Sequence, residues 1–182
     1  AINRVYIDWY ITEFCHCCGH GHASDLCKLR YLMLKIKPSE RLSYRLMTDC
    51  DADFLFILDQ DPAVMEHINN GKPTSRTEID EIFMPRMMAY RNPDKGWGLW
   101  QVNTLADDDF IGWILVRPMN YFSDERDDKN IELGWRFMQK SWGKGYATEA
   151  AKAVMTALRQ QVGYTKFSAV AVPDNIGSIR MM

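Results

Sequence analysis

The sequence predicts an α+β fold in which helices flank a mixed, mostly antiparallel central sheet. Three observations lead to this prediction. The apolar pattern indicates a strand, then helices, then three strands in succession, then one helix and a last strand. The strands expected at 97–102 and 110–116 are separated by a short polar turn, which is typical of a β-hairpin. A length of 182 residues suits one domain with a substantial core.

The first part of the pattern predicts one strand and two helices. Residues 41–47 are expected to form the strand. A helix over 49–60 would carry its apolar side chains on one side and the carboxylates of Asp51 and Asp59 on the other. A second helix is expected to begin at Pro62, because proline is favoured at the first helical position.

The middle of the chain predicts a helix and then the central strands. The helix is expected at 77–91, where Pro85 should kink or split it. The hairpin follows, then a solvated charged loop at 123–130 and a third strand at 131–138. Together these strands would form an antiparallel meander at the centre of the sheet.

The last part predicts a long amphipathic helix followed by a strand. Apolar residues keep helical spacing over 145–161, and Gly163 is a suitable stop for that helix. Residues 165–172 are expected to form the strand. A further helix should open after Pro173.

Bulk composition excludes several classes of protein. The net charge of −2 gives no overall attraction to nucleic acid, and no apolar run approaches the ~18 residues that cross a bilayer. The first residues lack the features of a secretory signal. We therefore expect a cytoplasmic protein that binds neither nucleic acid nor membrane.

The first 37 residues differ from the rest. The segment 15–22 reads CHCCGHGH, which offers zinc ligands but lacks the spacing of a standard zinc finger, so no metal site is assigned. We interpret 1–37 as a non-family extension, disordered or artefactual, and 38–182 as the domain. The hypothesis is that translation starts at Met33.

The segment 132–150, ELGWRFMQKSWGKGYATEA, carries the chemistry. A strand runs through Gly143 and Gly145 directly into a helix. The two glycines let the backbone turn tightly and let an anion approach its N–H groups. The first N–H groups of a helix lack internal partners and favour negative charge, and Lys140 and Lys144 add positive charge. A phosphate-containing ligand is predicted here.

Other interpretations of this loop are weaker. A glycine turn with nothing bound is always an alternative. A Rossmann loop would place glycine or alanine where Thr148 stands, and it would follow a first parallel strand. A P-loop would place a glycine five positions before Gly143, and this sequence has none there.

At this loop the sequence resembles the GNAT superfamily of N-acetyltransferases. Residues 140–145 are similar to its acetyl-CoA loop, Gln/Arg-x-x-Gly-x-Gly/Ala, with Lys140 in place of Gln or Arg. The run WGKGYATEA at 142–150 is similar to the branch that acetylates ribosomal-protein N-termini. Further similarity to that branch lies in Glu40-Arg41-Leu42 with Arg45, in 51–53, in 61–65 and in Asn175-x-x-Ser178.

The resemblance implies an activity and a cofactor site. The chain would transfer an acetyl group from acetyl-CoA, its co-substrate, to a primary amine of a protein N-terminus or a small molecule, by direct attack. The strand before the loop would splay from its neighbour and leave a gap for the pantetheine arm. The residues implied to bind acetyl-CoA are Arg136, Phe137, Met138, Lys140, Trp142, Gly143, Lys144, Gly145, Tyr146, Ala147 and Asn175.

The catalytic candidates are Glu132 and Ser178. Glu132 begins the splayed strand and shares a face with Arg136, so it could accept the proton of the amine, directly or through water. The alternative is a solvated carboxylate at a strand end. Ser178 could serve the thiol side, and Tyr121 and Tyr146 are candidate acids.

The sequence does not identify the acceptor. The acidic loop at 123–130 favours a cationic amine, although such runs usually only solvate a surface. Tryptophans on strands lie in the core more often than in a pocket. The four on predicted strands are Trp97, Trp100, Trp113 and Trp135.

The family would continue past Asn175 with the rest of a helix and at least one more strand. We therefore expect a fragment in which the strand at 165–172 keeps an open apolar edge. Three other functions remain as alternatives: a non-catalytic acyl-CoA-binding module, a Rossmann-type nucleotide-binding protein and a metal-binding signalling protein. A homodimer also stays open.

Overall fold

The computed structural model describes residues 5–10 and 33–182, so the Cys/His cluster at 15–22 lies outside the described residues. The strands are β1 Val5–Tyr10, β2 Leu42–Leu46, β3 Gly98–Thr104, β4 Phe110–Met119, β5 Asp127–Phe137 and β6 Lys166–Ala171. They form one sheet in the order β1-β6-β5-β4-β3-β2. Every neighbouring pair is antiparallel except β5 and β6. The predicted mixed, mostly antiparallel sheet is confirmed, although β5 begins inside the segment expected to be a loop.

Helices flank this sheet. They are α1 Ala52–Leu58, α2 Pro62–Asn69, α3 Arg76–Glu78, α4 Met84–Tyr90, α5 Tyr146–Val162 and α6 Ile176–Met181. A wide π-helical segment, Ile79–Phe83, joins α3 to α4. Pro85 itself lies at the start of α4, and the interruption that it was expected to cause occurs just before it, in this π-helical segment. A widened turn there avoids the clash of the proline ring with the preceding turn. None of the helices in the described part of the chain is long and apolar enough to span a bilayer.

Helix α5 covers one face of the sheet. Its apolar side packs on alternate residues of the central strands, because successive strand residues point to opposite faces. The cluster includes Val154 and Leu158 of α5, together with Ile114 of β4. Leu34 and Ile36 are also buried in it. The core therefore begins before the boundary that composition indicated at residue 38.

The opposite face packs against α1, the π-helical segment and α4. Met47, Leu55, Ile79, Met87 and Leu99 form the buried centre of this second cluster. Since α5 lies on the other face, the sheet is the middle layer of three. The two sides of the sheet therefore carry separate hydrophobic cores.

The two acids that flank α1, Asp51 and Asp59, are buried and lie in ion pairs, which corrects the expectation that they face away from the core. Asp51 accepts two hydrogen bonds from Arg45 of β2, at 2.9 and 2.7 Å. Burial alone would raise the pKa of Asp51, but hydrogen bonds from Arg45 and Thr48 outweigh it and lower the pKa. Asp59, only 1% exposed, pairs with Arg136 of β5. Helical spacing separated the two sides of α1 but gave no sign of these arginines.

Strand β1 covers the outer edge of β6. The two strands pair antiparallel over six residues, from Val5 opposite Ala171 to Tyr10 opposite Lys166. The expectation of an open edge along β6 is therefore wrong. The covering strand comes from the N-terminal segment, which composition had set apart from the domain.

A chain that starts at Met33 should lose stability, because it lacks β1. Each hydrogen bond of the β1–β6 ladder is worth about 1 kcal/mol. We expect the melting temperature to fall by at least about 5 °C and the chain to self-associate through the bare edge. Differential scanning fluorimetry and light scattering would measure both, with a chain lacking only residues 1–4 as the control. An unchanged melting temperature and a monodisperse sample would contradict this prediction.

Candidate functional site

Strands β5 and β6 pair briefly and then separate. Three pairs join them: Asn130 with Lys166, Ile131 with Phe167 and Glu132 with Ser168. Within the described residues no further pairing joins the two strands, although β5 continues to Phe137 and β6 to Ala171. The gap opens into a cavity of about 820 Å³ lined by both strands. This is the splay that the resemblance implied.

The floor of the cavity is built from alternate residues of β4 and β5. Cross-strand register places Trp113 opposite Arg136, Leu115 opposite Gly134 and Arg117 opposite Glu132. All six line the cavity. Gly134 places no side chain in the middle of the floor. A Cβ atom there would lie 3.2 Å from Leu115 Cδ2, which is a tight contact.

Helix α2 forms the wall opposite the floor. Its lining residues include Ala63, Glu66 and His67. Two features stabilise the N-terminus of this helix. Asp61 caps it by accepting a hydrogen bond from the Ala63 N–H at 2.9 Å, and Pro62 occupies its first position. The cavity thus lies between the sheet and α2, and it reaches the end of β5.

The loop from β5 to α5 presents open backbone donors to this cavity. Gly143 and Gly145 have φ angles of 71° and 77°, in the left-handed region that favours glycine. The backbone N–H of Trp142 donates to the Gln139 carbonyl at 3.0 Å. The N–H groups of residues 143–148 donate to no carbonyl or side chain of the described residues, and no side chain caps α5. Open N–H groups at the start of a helix can hold an anion.

Most predicted cofactor residues line the cavity. They are Arg136, Phe137, Trp142, Gly143, Gly145, Tyr146, Ala147 and Asn175, together with both catalytic candidates. Met138, Lys140 and Lys144 do not line it. The Met138 N–H donates to the Ile111 carbonyl at 2.9 Å, and Lys140 Nζ donates to Asp109 at 3.0 Å on the exposed surface.

Glu132 is held by an ion pair. The Arg117 guanidinium donates to both carboxylate oxygens, at 2.8 and 3.1 Å, and the Glu132 side chain is 15% exposed. The alternative of a solvated carboxylate is therefore wrong. Burial raises the pKa of the neighbouring Tyr90 above its ordinary value, so that phenol stays neutral beside Arg117.

Ser178 and Asn175 interact with each other at the start of α6. The Asn175 side chain accepts a hydrogen bond from the Ser178 N–H at 3.0 Å, which caps the helix. The Ser178 hydroxyl accepts from the indole N–H of Trp135 at 3.2 Å. Tyr121, in contrast, lies outside the cavity lining and donates to the Ala89 carbonyl at 2.9 Å.

Several residues of the site could not be predicted from the sequence. Arg117 carried no signal of its own, because its partner depends on the register between β4 and β5.

Two of the four tryptophans on predicted strands lie in the core as expected, whereas Trp113 and Trp135 line the cavity. The Trp113 indole N–H and the Arg136 Nε–H are buried without a hydrogen-bond partner among the described residues.

The fold contains a cleft whose length and open N–H groups suit a long ligand with an anionic group. The sheet is a meander rather than a doubly wound parallel sheet, which excludes a Rossmann fold. Residues 41–182 match the family described as acetyltransferase (GNAT) domain. The chain belongs to this family.

Relatives and solved structures agree with that assignment. The chain is 26% identical to FsC-acetyl coenzyme A-N(2)-transacetylase of Aspergillus fumigatus over 132 residues, 71% of this chain but 55% of that protein. It is 29% identical to the uncharacterized protein YkkB of Bacillus subtilis over 79% of each chain. A GNAT-family acetyltransferase structure from Bacillus anthracis is 26% identical, with a TM-score of 0.62 over 81% of this chain and 79% of that one.

A more distant structure shares the fold. The ribosomal L7/L12 acetyltransferase RimL, solved with coenzyme A, is 16% identical and has a TM-score of 0.61. It covers 80% of this chain, and this chain covers 79% of it. The branch suggested by the loop motif therefore contains a protein of the same architecture.

The ion pair between Asp59 and Arg136 supports the cavity, and its loss should destabilise the protein. Removing one partner leaves the other charge buried, so we expect Asp59→Ala to cost about 3–5 kcal/mol of unfolding free energy. Asp53→Ala is the matched control on the same helix, because Asp53 pairs with Arg76 on the exposed surface. That control should change stability by less than about 1 kcal/mol. Urea denaturation measures both values, and similar losses in the two variants would refute the prediction.

Proposed function

We propose that the chain transfers an acetyl group from acetyl-CoA to a primary amine, which belongs to a protein N-terminus or to a small molecule. The main support is the meeting of two features in one cavity. The gap between β5 and β6 suits a long extended arm, and the open N–H groups of residues 143–148 suit a diphosphate. Membership of the GNAT family supports acyl transfer.

The residues of the cleft fit acetyl-CoA. Its diphosphate would accept hydrogen bonds from the loop N–H groups, and Gly143 leaves space for its approach because no atom lies within 4 Å of a Cβ there. Its pantetheine arm would pair with backbone groups that the parting of β5 and β6 leaves free. Asn175 would donate from its side-chain amide, since its oxygen already caps α6.

Acetyl-CoA supplies an activated thioester, so the protein must position a neutral amine and manage protons. Glu132 lines the cavity and retains lone pairs beyond those that Arg117 engages. We assign it the role of accepting the proton of the amine, directly or through water. Arg117 holds the carboxylate in place for this step.

Ser178 serves the leaving group in this proposal. Its oxygen accepts the Trp135 indole hydrogen, so its own hydroxyl can donate a hydrogen bond to the leaving thiolate, which takes its proton from solvent. Direct attack needs no protein nucleophile. Cys50, the cysteine within the described residues, is exposed and lies outside the cavity lining.

A thiol-release assay tests this function. The protein is incubated with acetyl-CoA and a panel of primary amines, including peptides with free N-termini, and free coenzyme A is measured colorimetrically. We expect release that depends on both substrates. Coenzyme A binding without release by any amine would favour a non-catalytic acyl-CoA-binding module. Failure to bind coenzyme A at all would refute the proposal.

Gly143→Ala should impair use of acetyl-CoA. An alanine in a left-handed conformation costs about 1–2 kcal/mol, and its methyl group would stand where the diphosphate approaches. We expect the KM for acetyl-CoA to rise about tenfold, which corresponds to ~1.4 kcal/mol. The matched control is Gly163→Ala, because Gly163 has a φ of 88°, equally open surroundings and a place at the far end of α5. An equal KM in the two variants would show that the loop does not hold the diphosphate.

A further inference from the structure

We propose that Arg41 is a positioning residue for the loop that receives the diphosphate. Arg41 precedes β2 in the sequence and lies outside the cavity lining. It acts on the cofactor through the loop, without contacting it. This inference rests on the proposed binding of acetyl-CoA, and it joins the Glu-Arg-Leu motif near the start of the domain to the glycine loop a hundred residues later.

The Arg41 side chain connects three parts of the loop and helix. Its Nη1 donates to the Lys144 carbonyl at 3.0 Å, and its Nε donates to the Glu149 carboxylate at 2.8 Å. The guanidinium carbon lies 4.5 Å from the centroid of the Tyr146 ring. A planar fork can satisfy these partners at once, which a lysine ammonium could not do with the same geometry.

The bond to the Lys144 carbonyl fixes the direction of a loop donor. That carbonyl and the Gly145 N–H belong to the same peptide group, and in a trans peptide the two point in opposite directions. Because the carbonyl points at Arg41, the Gly145 N–H points away from the guanidinium. Arg41 thus selects one orientation of a peptide to which Gly145 and the nearby Gly143 would allow several.

Glu149 needs this partner because it lies in the first turn of α5, beside the anion site. Its carboxylate also accepts hydrogen bonds from the Ser39 hydroxyl at 2.7 Å and the Arg41 backbone N–H at 2.9 Å. Burial would raise the pKa of Glu149, but these bonds and the Arg41 guanidinium lower it overall. A fixed negative charge would repel the diphosphate, and the guanidinium neutralises it.

The test is a double-mutant cycle on coenzyme A binding, measured by isothermal titration calorimetry. Arg41→Ala and Glu149→Gln should each weaken binding about tenfold, since each releases the loop. The double variant should bind no more weakly than the weaker single variant, because the two residues act as one unit. Arg41→Lys, which keeps the charge, should also bind more weakly than the wild type.

Kinetics separate positioning from a general loss of structure. In both single variants the KM for acetyl-CoA should rise, while kcat and the KM for the amine stay within about twofold. Arg76→Ala is the control. Arg76 is a similarly exposed arginine that pairs with Asp53 and Asp80, and none of these three residues lines the cavity. It should leave all three constants unchanged. A parallel rise in both KM values for the Arg41 variants would overturn the inference.

Three binding results would overturn the inference as well. If Glu149→Gln binds as well as or better than the wild type while Arg41→Ala binds less, Arg41 does not position the loop through Glu149. If the losses add in the double variant, the two residues act separately. If every variant binds like the wild type, Arg41 does not position the loop. A wild-type chain that binds no coenzyme A overturns the proposed function itself, and this inference with it.

Discussion

The structure depends on the parting of β5 from β6 after three residue pairs. Inside a sheet, every backbone N–H and C=O group normally has a partner, and an orphaned buried group costs as much as a lost hydrogen bond. A sheet that opens in its middle is therefore stable only if something else offsets that cost. The continuous pairing of residues 112–118 of β4 with residues 131–137 of β5 secures one side of the gap. On the open side, the pantetheine arm of the proposed ligand would supply the missing partners.

The other side of the gap is secured by a strand from the opposite end of the chain. Because β6 leaves β5 early, it would have few backbone partners without β1, which pairs with it over its whole length. β6 leads into the Asn175 cap of α6, so the position of β6 also sets the position of Ser178. Strand β1 thereby contributes to the site through β6.

From β2 onward the sequence predicted most elements well, because their periods are local properties, whereas strand β1 was not predicted. Alternation identified the meander, and helical spacing identified α5 within a residue or two at each end. What it missed are pairings between distant segments: Asp59 with Arg136, Arg117 with Glu132, and β1 with β6. Periodicity says which side of an element is apolar, but it carries no information about which charged residue will face it. The glycine loop was found because its signal is local and depends on backbone geometry.

The loop also shows why charge counting misjudged the site. Lys140 and Lys144 suggested a cationic site, yet neither lines the cavity, and Lys140 pairs with Asp109 on the surface. The donors of the glycine loop are backbone N–H groups, whose partial charges are fixed in direction and lose no side-chain entropy on binding. Such a site gains affinity from orientation rather than from net charge. In the proposed cofactor site, residues that orient the peptide groups would therefore matter more than lysines nearby, and an arginine outside the cavity would affect binding within it.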